Sequence, residues 1–140
     1  MNIDLSRYLI AQEKSYHAAL AEIKSGKKRT HWMWYIFPQY KGLGLSGISV
    51  FYAIKSREEA EAYLLHPVLG SRLKEITKEL LRLEDKNAFS VFGSPDHLKL
   101  KSCMTLFDFV DGSLNNVFKQ VIDGYFDGIP DNVTLQLIQQ

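Results

Sequence analysis

Cysteine occurs once in the 140 residues, as Cys103, so no intrachain disulfide can form, and no Cys-x-x-Cys pair or tight Cys/His set is present to hold zinc. The four histidines His17, His31, His66 and His97 stand singly, without the His-x-x-x-His spacing of a helical metal site. No metal and no cofactor are expected. Charge of one sign is also lacking: 17 Lys and Arg against 16 Asp and Glu leave a formal +1, which argues against a chain built mainly for nucleic acid. No apolar run approaches the ~20 residues that span a bilayer, and the opening MNIDLSRYLIAQEK is interrupted by charges where a signal peptide would be continuously apolar. The expected location is cytoplasmic. At 46% hydrophobic and 24% charged residues, the chain reads as a single globular domain over 1–140.

What is present is helical periodicity. Leu5, Tyr8, Leu9, Tyr16, Ala19, Leu20 and Ile23 recur on one helix face, with Asp4 placed to cap the start and Gly26 the end. Ser56 to Glu59 forms a capping box in which each side chain can serve the other's backbone amide, opening a helix to about Leu65. His66-Pro67 breaks it, and Leu69, Leu73, Ile76, Leu80 and Leu83 stripe the next. Ser94-Pro95-Asp96 reads as a further start, with Ser94 as N-cap and Leu100, Cys103, Met104, Phe107 and Val110 on the core side. Another helix is expected from about Ser113 to Phe126, and a short one after Asp131. Five or six helices with no alternating strands predict an all-α, compact multi-helical bundle.

The segment from Thr30 to Ser46 breaks that regularity. His31-Trp32-Met33-Trp34-Tyr35-Ile36-Phe37 has no polar face and reads as buried extended chain or a short buried helix, leading into an irregular loop at Gly42, Gly44 and Gly47. Its aromatics can wall a planar ligand, with His31 and Gln39 as hydrogen-bonding groups, or they can simply plug the core. The glycines match G-x-G-x-x-G, but no strand-turn-helix context supports a dinucleotide fold.

Two further groups could hold an anion. Asp96, Lys99 and Cys103 lie close on one helix face near a start where free amides also favour anions; an Asp96–Lys99 pair with a snorkelling lysine is the competing reading. Arg72 reads as an anion clamp, His66 as a capping residue, and Cys103 as inert core. Lys27-Lys28-Arg29, after a helix end, reads as a solvated cap.

Taken with Tyr52-Ala53-Ile54, Glu59-Ala60, Tyr63-Leu64, His66 through Leu73, and Phe92-Gly93 through Asp96, Lys99 and Ser102 to Phe107, the aromatic segment resembles the signature of the domain-of-unknown-function family 1810. Cys103 stands where serine-like small residues are usual. The resemblance implies a small, mainly α-helical bacterial protein. A looser similarity, resting on a helical fold with polar residues inside hydrophobic helices, connects it to YbiA-like N-glycosidases and ADP-ribose-processing proteins. That similarity implies Trp32 or Trp34 stacking on base or ribose, Lys99 and Arg72 holding phosphate, and Asp96 or Glu59 positioning water.

The expectation is therefore a domain that binds, and by that likeness hydrolyses, a phosphorylated ribosyl or nucleotide-type ligand. Asp96 and Lys99 are the catalytic candidates, and His31, Trp32, Trp34, Gln39, Tyr52, Arg72 and Ser102 the binding ones. The alternative is a non-catalytic protein-interaction module, which requires Trp32, Trp34 and Phe37 exposed in one patch. Nucleic-acid binding would need Lys27, Lys28, Arg29, Lys41, Lys99 and Lys101 in one stripe.

Overall fold

The computed structural model describes residues 3–140, and among these it is all-α. The helices are α1 (Ser6–Lys24), α2 (Met33–Ile36), α3 (Gly47–Tyr52), α4 (Arg57–Leu65), α5 (Leu69–Arg82), α6 (Ala88–Phe92), α7 (Asp96–Asp111), α8 (Val117–Phe126) and α9 (Asn132–Ile138). Nine helices among the described residues correct the expected five or six. The additional ones, α2, α3 and α6, are four to six residues long, too short for a 3.6-residue period to repeat and be seen.

Several ends form as their residues dictate. Asp4 Oδ1 accepts from Ser6 N at 2.9 Å, although Leu5 and not Asp4 holds the cap position of α1. After α1, Gly26 takes φ +84°, and Gly26 N and Lys27 N donate to the carbonyls of Ile23 and Glu22, a Schellman ending that needs glycine's left-handed freedom. Ser56 Oγ caps Glu59 N at 3.0 Å, but Glu59 does not answer to Ser56; its carboxylate turns to Arg7 and Lys55 N. Two starts differ from expectation. Pro95, not Ser94, precedes the first residue of α7, and no side chain caps it. Asn116, whose side chain accepts from Lys119 N, opens α8 in place of Ser113, leaving Leu114 outside the helix and exposed.

α7 lies at the centre, packed against α4, α6, α8 and α9. Its residues Ser102 through Phe107 are buried without interruption, as a helix covered on all sides requires. α5 shows the opposite pattern, one buried stripe of Leu69, Leu73, Ile76 and Leu80 facing α1, α4 and α8. At the α4–α5 corner a Cβ on Gly70 would stand 2.0 Å from the Leu64 carbonyl oxygen, so only glycine lets the two helices meet this closely. The buried apolar side chains form one contiguous cluster. No helix among the described residues is long and apolar enough to cross a membrane.

Candidate functional site

The aromatic segment is anchored from below by one carboxylate. Glu22 accepts from Arg29 N (2.6 Å), Thr30 N (3.0 Å), Thr30 Oγ1 (2.7 Å) and Trp32 Nε1 (2.9 Å). Partial burial would raise its pKa, but these donors outweigh it and hold the carboxyl down at about 2. Trp32 is thereby locked into the core, tilted against Phe37 and edge-on to Phe92. In α2 the three-residue spacing of Met33 and Ile36 turns both inward and leaves Trp34 and Tyr35 half-buried. Neither tryptophan is placed by composition; the Glu22 latch decides which one the core takes.

A second anchor places Tyr52. Arg7 donates to the carbonyls of Phe51 (2.9 Å) and Ala53 (3.0 Å), to the Tyr8 hydroxyl (2.9 Å) and to both oxygens of Glu59 (2.8 and 3.2 Å). Tyr8 in turn donates to Tyr52 O at 2.6 Å. Burial works against the guanidinium's charge, yet Glu59 holds its pKa above the ordinary value. The chain from 39 to 54 is closed by Ile54 N to Gln39 O (2.8 Å) and Lys41 N to Ile54 O (2.9 Å), an isolated parallel bridge. Within that loop Gly44 presses on Ser49, where a Cβ would come within 2.5 Å of the Ser49 Cβ.

From the other side α7 presents Asp96, Lys99 and Ser102 at intervals of three residues, one face of the helix. Asp96 Oδ2 pairs with Lys28 Nζ at 2.9 Å and Asp96 Oδ1 with Lys99 Nζ at 3.3 Å. The Lys28 side chain is only 8% exposed and its ammonium sits 5.2 Å from the Trp32 ring centroid; that of Lys99 lies 4.9 Å from the Trp34 centroid. Between these walls runs an open cleft of about 380 Å³, lined by Gln39, Gly44, Ser49, Lys99, Ser102 and Asp131 and rimmed by Leu43, Leu98 and Val133. A smaller, more enclosed recess of about 20 Å³ adjoins it through Gln39, Gly44 and Ser49 and reaches Trp34 and Tyr52. It is the size of one water.

The structure thus brings together Trp34, Gln39, Tyr52, Lys99 and Ser102, with Asp96 immediately behind Lys99. It separates three others. Trp32 is core, 1% exposed. His31 is exposed, and its carbonyl accepts from the Tyr35 hydroxyl at 3.4 Å. Arg72 lies on α5 with its guanidinium 4.9 Å from the Tyr16 ring centroid, while its carbonyl accepts from the Tyr16 hydroxyl, which also donates to Glu75. Glu59, considered for positioning water, is consumed by the Arg7 clamp. The amides expected to be free at the start of α7 are engaged: His97 N donates to Gly93 O, and Leu98 N and Lys99 N to Pro95 O. Lys28 is no solvated cap, since it lies buried on Asp96. His66 does cap, its Nδ1 accepting from Val68 N and Leu69 N, and burial pushes the Cys103 thiol well up, as an inert core cysteine requires.

Sequence reasoning missed Lys28, Ser49 and Asp131 as parts of this region. The only signal for Asp131 was its place after the Gly128-Ile129-Pro130 break; for Lys28 there was none, because its partner Asp96 lies far along the chain. Among the described residues no group of His, Cys, Asp and Glu is arranged to hold a metal ion.

Comparison with known proteins places this geometry in a family. No curated protein matches the chain. The crystal structure of a conserved hypothetical protein from Mycobacterium tuberculosis is similar at 42% identity, with a TM-score of 0.93 over 98% of this chain and 97% of that one. The family model described as protein of unknown function (DUF1810) matches residues 2–138. With the aromatic segment, the α4–α5 corner and the α7 face all inside that span, the chain belongs to the DUF1810 family.

Proposed function

We propose that this protein binds a small phosphorylated ribosyl or nucleotide-type ligand in the cleft between the aromatic segment and α7. The observation that carries the reading is the seat of Lys99: it shares the Asp96 carboxylate with Lys28 through the longer of the two bonds, and it is the lysine that lines the cleft. A loosely paired cation seated on an aromatic ring, partly withdrawn from water, favours an anionic group such as phosphate. Gln39 can fix the ligand's polar edge, and Trp34 and Tyr52 form the aromatic end of the recess.

An N-glycosidase-type hydrolysis is the finer part of the proposal. Asp96 has both oxygens on lysines, so in this reading it positions Lys99 rather than activating water. Supporting the ligand site over the interaction module is the burial of Trp32 and Phe37, at 1% and 0% exposure, which removes two of the three aromatics that module requires in one exposed patch. A bacterial cytoplasmic setting belongs to the same proposal.

The test is a thermal-shift screen against ADP-ribose, NAD, ribose phosphates and nucleotides, with product analysis of each hit. A ligand at 100 times its Kd should add about 2.7 kcal/mol of stability. The shift should vanish in Lys99→Met and persist in Arg72→Ala, and release of a free base would add the hydrolytic step. A shift that survives Lys99→Met would overturn the assignment of the cleft.

A further inference from the structure

Asp131 opens α9 and is fixed from three directions. Its backbone N donates to Thr105 Oγ1 at 2.9 Å, and its Oδ2 accepts from Ser102 Oγ at 2.8 Å and Thr134 Oγ1 at 2.5 Å. Thr105 and Thr134 are buried, so this frame does not depend on mobile surface groups. Oδ1 takes no hydrogen bond from the described residues, and among them no lysine or arginine lies within ion-pair distance of Asp131. The side chain lines the same cleft as Lys99 and Gln39. It differs in this from the other carboxylates near the site. Asp96 spends both oxygens on lysines, and Glu59 spends both on Arg7 and Lys55 N.

A fixed carboxylate oxygen accepts and does not donate, and it repels an anion. Whatever occupies the cleft must therefore offer hydrogen-bond donors to Asp131 and negative charge to Lys99. We infer that Asp131 is the specificity-determining residue of the cleft, reading the hydroxyl groups of a sugar phosphate whose phosphate is held by Lys99. The inference rests on the ligand-binding reading above and adds the residue that reads the sugar. It places the hydroxyls toward α9 and the phosphate at Lys99.

Calorimetric titration of the purified protein with ribose 5-phosphate and with n-butyl phosphate, which carries the anion without hydroxyls, tests it. In the wild type, ribose 5-phosphate should bind at least about tenfold more tightly, because a site built to accept from hydroxyls discriminates against a ligand lacking them. Asp131→Asn keeps a carbonyl for Ser102 and Thr134 while turning the cleft-facing acceptor into a donor. That variant should abolish the ratio and strengthen n-butyl phosphate binding, because it removes the carboxylate's repulsion of the anion, whereas Lys99→Met should weaken both ligands. Equal affinities in the wild type would overturn the inference without recourse to a variant that must fold. So would survival of the ratio in Asp131→Asn, or tighter binding of phosphoethanolamine, whose ammonium would then be the group Asp131 reads. Failure of every phosphate ester to bind the wild type would remove the cleft reading itself, and this inference with it.

Discussion

The molecule holds two charged clusters of similar burial and different composition. At the α1–α4 contact, Arg7 and Glu59 are 15% and 8% exposed, and the guanidinium also serves three carbonyls and a tyrosine hydroxyl. At the α7 start, Lys28 and Asp96 are 8% and 19% exposed, but a second lysine, 23% exposed, leans on the same carboxylate. The first cluster balances one cation with one anion and uses every polar direction on the protein's own groups; nothing is left for a ligand. The second gives one carboxylate two lysines and leaves the more loosely held of them, Lys99, on an open cleft across from Asp131. Burial alone does not separate the two clusters. What their polar groups still have free to offer does.

Breaking the first cluster should have the largest effect on stability. Glu59→Ala leaves the partly buried Arg7 guanidinium unpaired, which costs about 3 kcal/mol, the low end for a buried ion pair that loses one partner; urea denaturation reads it as a lowered midpoint. Asp96→Asn should cost less, about 2 kcal/mol, because Lys28 loses its charged hydrogen bond while the more exposed Lys99 can turn to water. Adding Lys28→Met to Asp96→Asn should recover most of that loss, and a double-mutant cycle showing no coupling between the two would refute the pairing as the source of the cost.

A carboxylate with no cation sharpens the comparison. Glu22 is held by amide, hydroxyl and indole donors alone, and its folded pKa of about 2 lies below the ordinary 4.5. A depressed carboxylate stabilises the fold fully above its unfolded pKa, and that contribution fades as pH falls from about 4.5 towards 2. Glu22→Gln keeps one acceptor oxygen and should cost about 1 kcal/mol at neutral pH. The gap between wild type and variant should shrink on acidification through that window. A gap that stayed constant from pH 7 to below 3 would show that Glu22 is not the group titrating there.

The order of these effects was partly legible in the residues themselves. Helix starts and stops that depend on neighbours in the chain, such as Asp4, Gly26, Ser56 and His66-Pro67, were visible because the groups that satisfy each other are a few positions apart. So was the face of α7 that carries Asp96, Lys99 and Ser102. Hidden were assignments that need a distant partner. Lys28 looks like its solvated neighbours Lys27 and Arg29 until α7 brings Asp96 to it. Trp32 and Trp34 sit in a run without a polar face, so periodicity could not say which is core; Glu22 decides from α1. Arg72 lies in a helix whose polar side is long, and only packing shows that it faces Tyr16 and not the cleft.

The smallest stability effect should accompany the greatest loss of binding. Lys99→Met removes an ion pair of 3.3 Å between residues three apart on one helix, partly exposed and therefore worth no more than about 0.5 kcal/mol. The methionine keeps the stem against Trp34, and Asp96 keeps Lys28, so the denaturation midpoint should stay close to that of wild type. The cleft then holds no cation of its own, and phosphorylated ligands should lose their grip. The two clusters thus predict opposite outcomes for the same kind of change. Removing a charge from the Arg7 clamp should strongly destabilise the protein, and removing the Lys99 charge from α7 should leave it stable and unable to bind. A Lys99→Met variant destabilised as strongly as Glu59→Ala would mean that the second cluster is also a clamp.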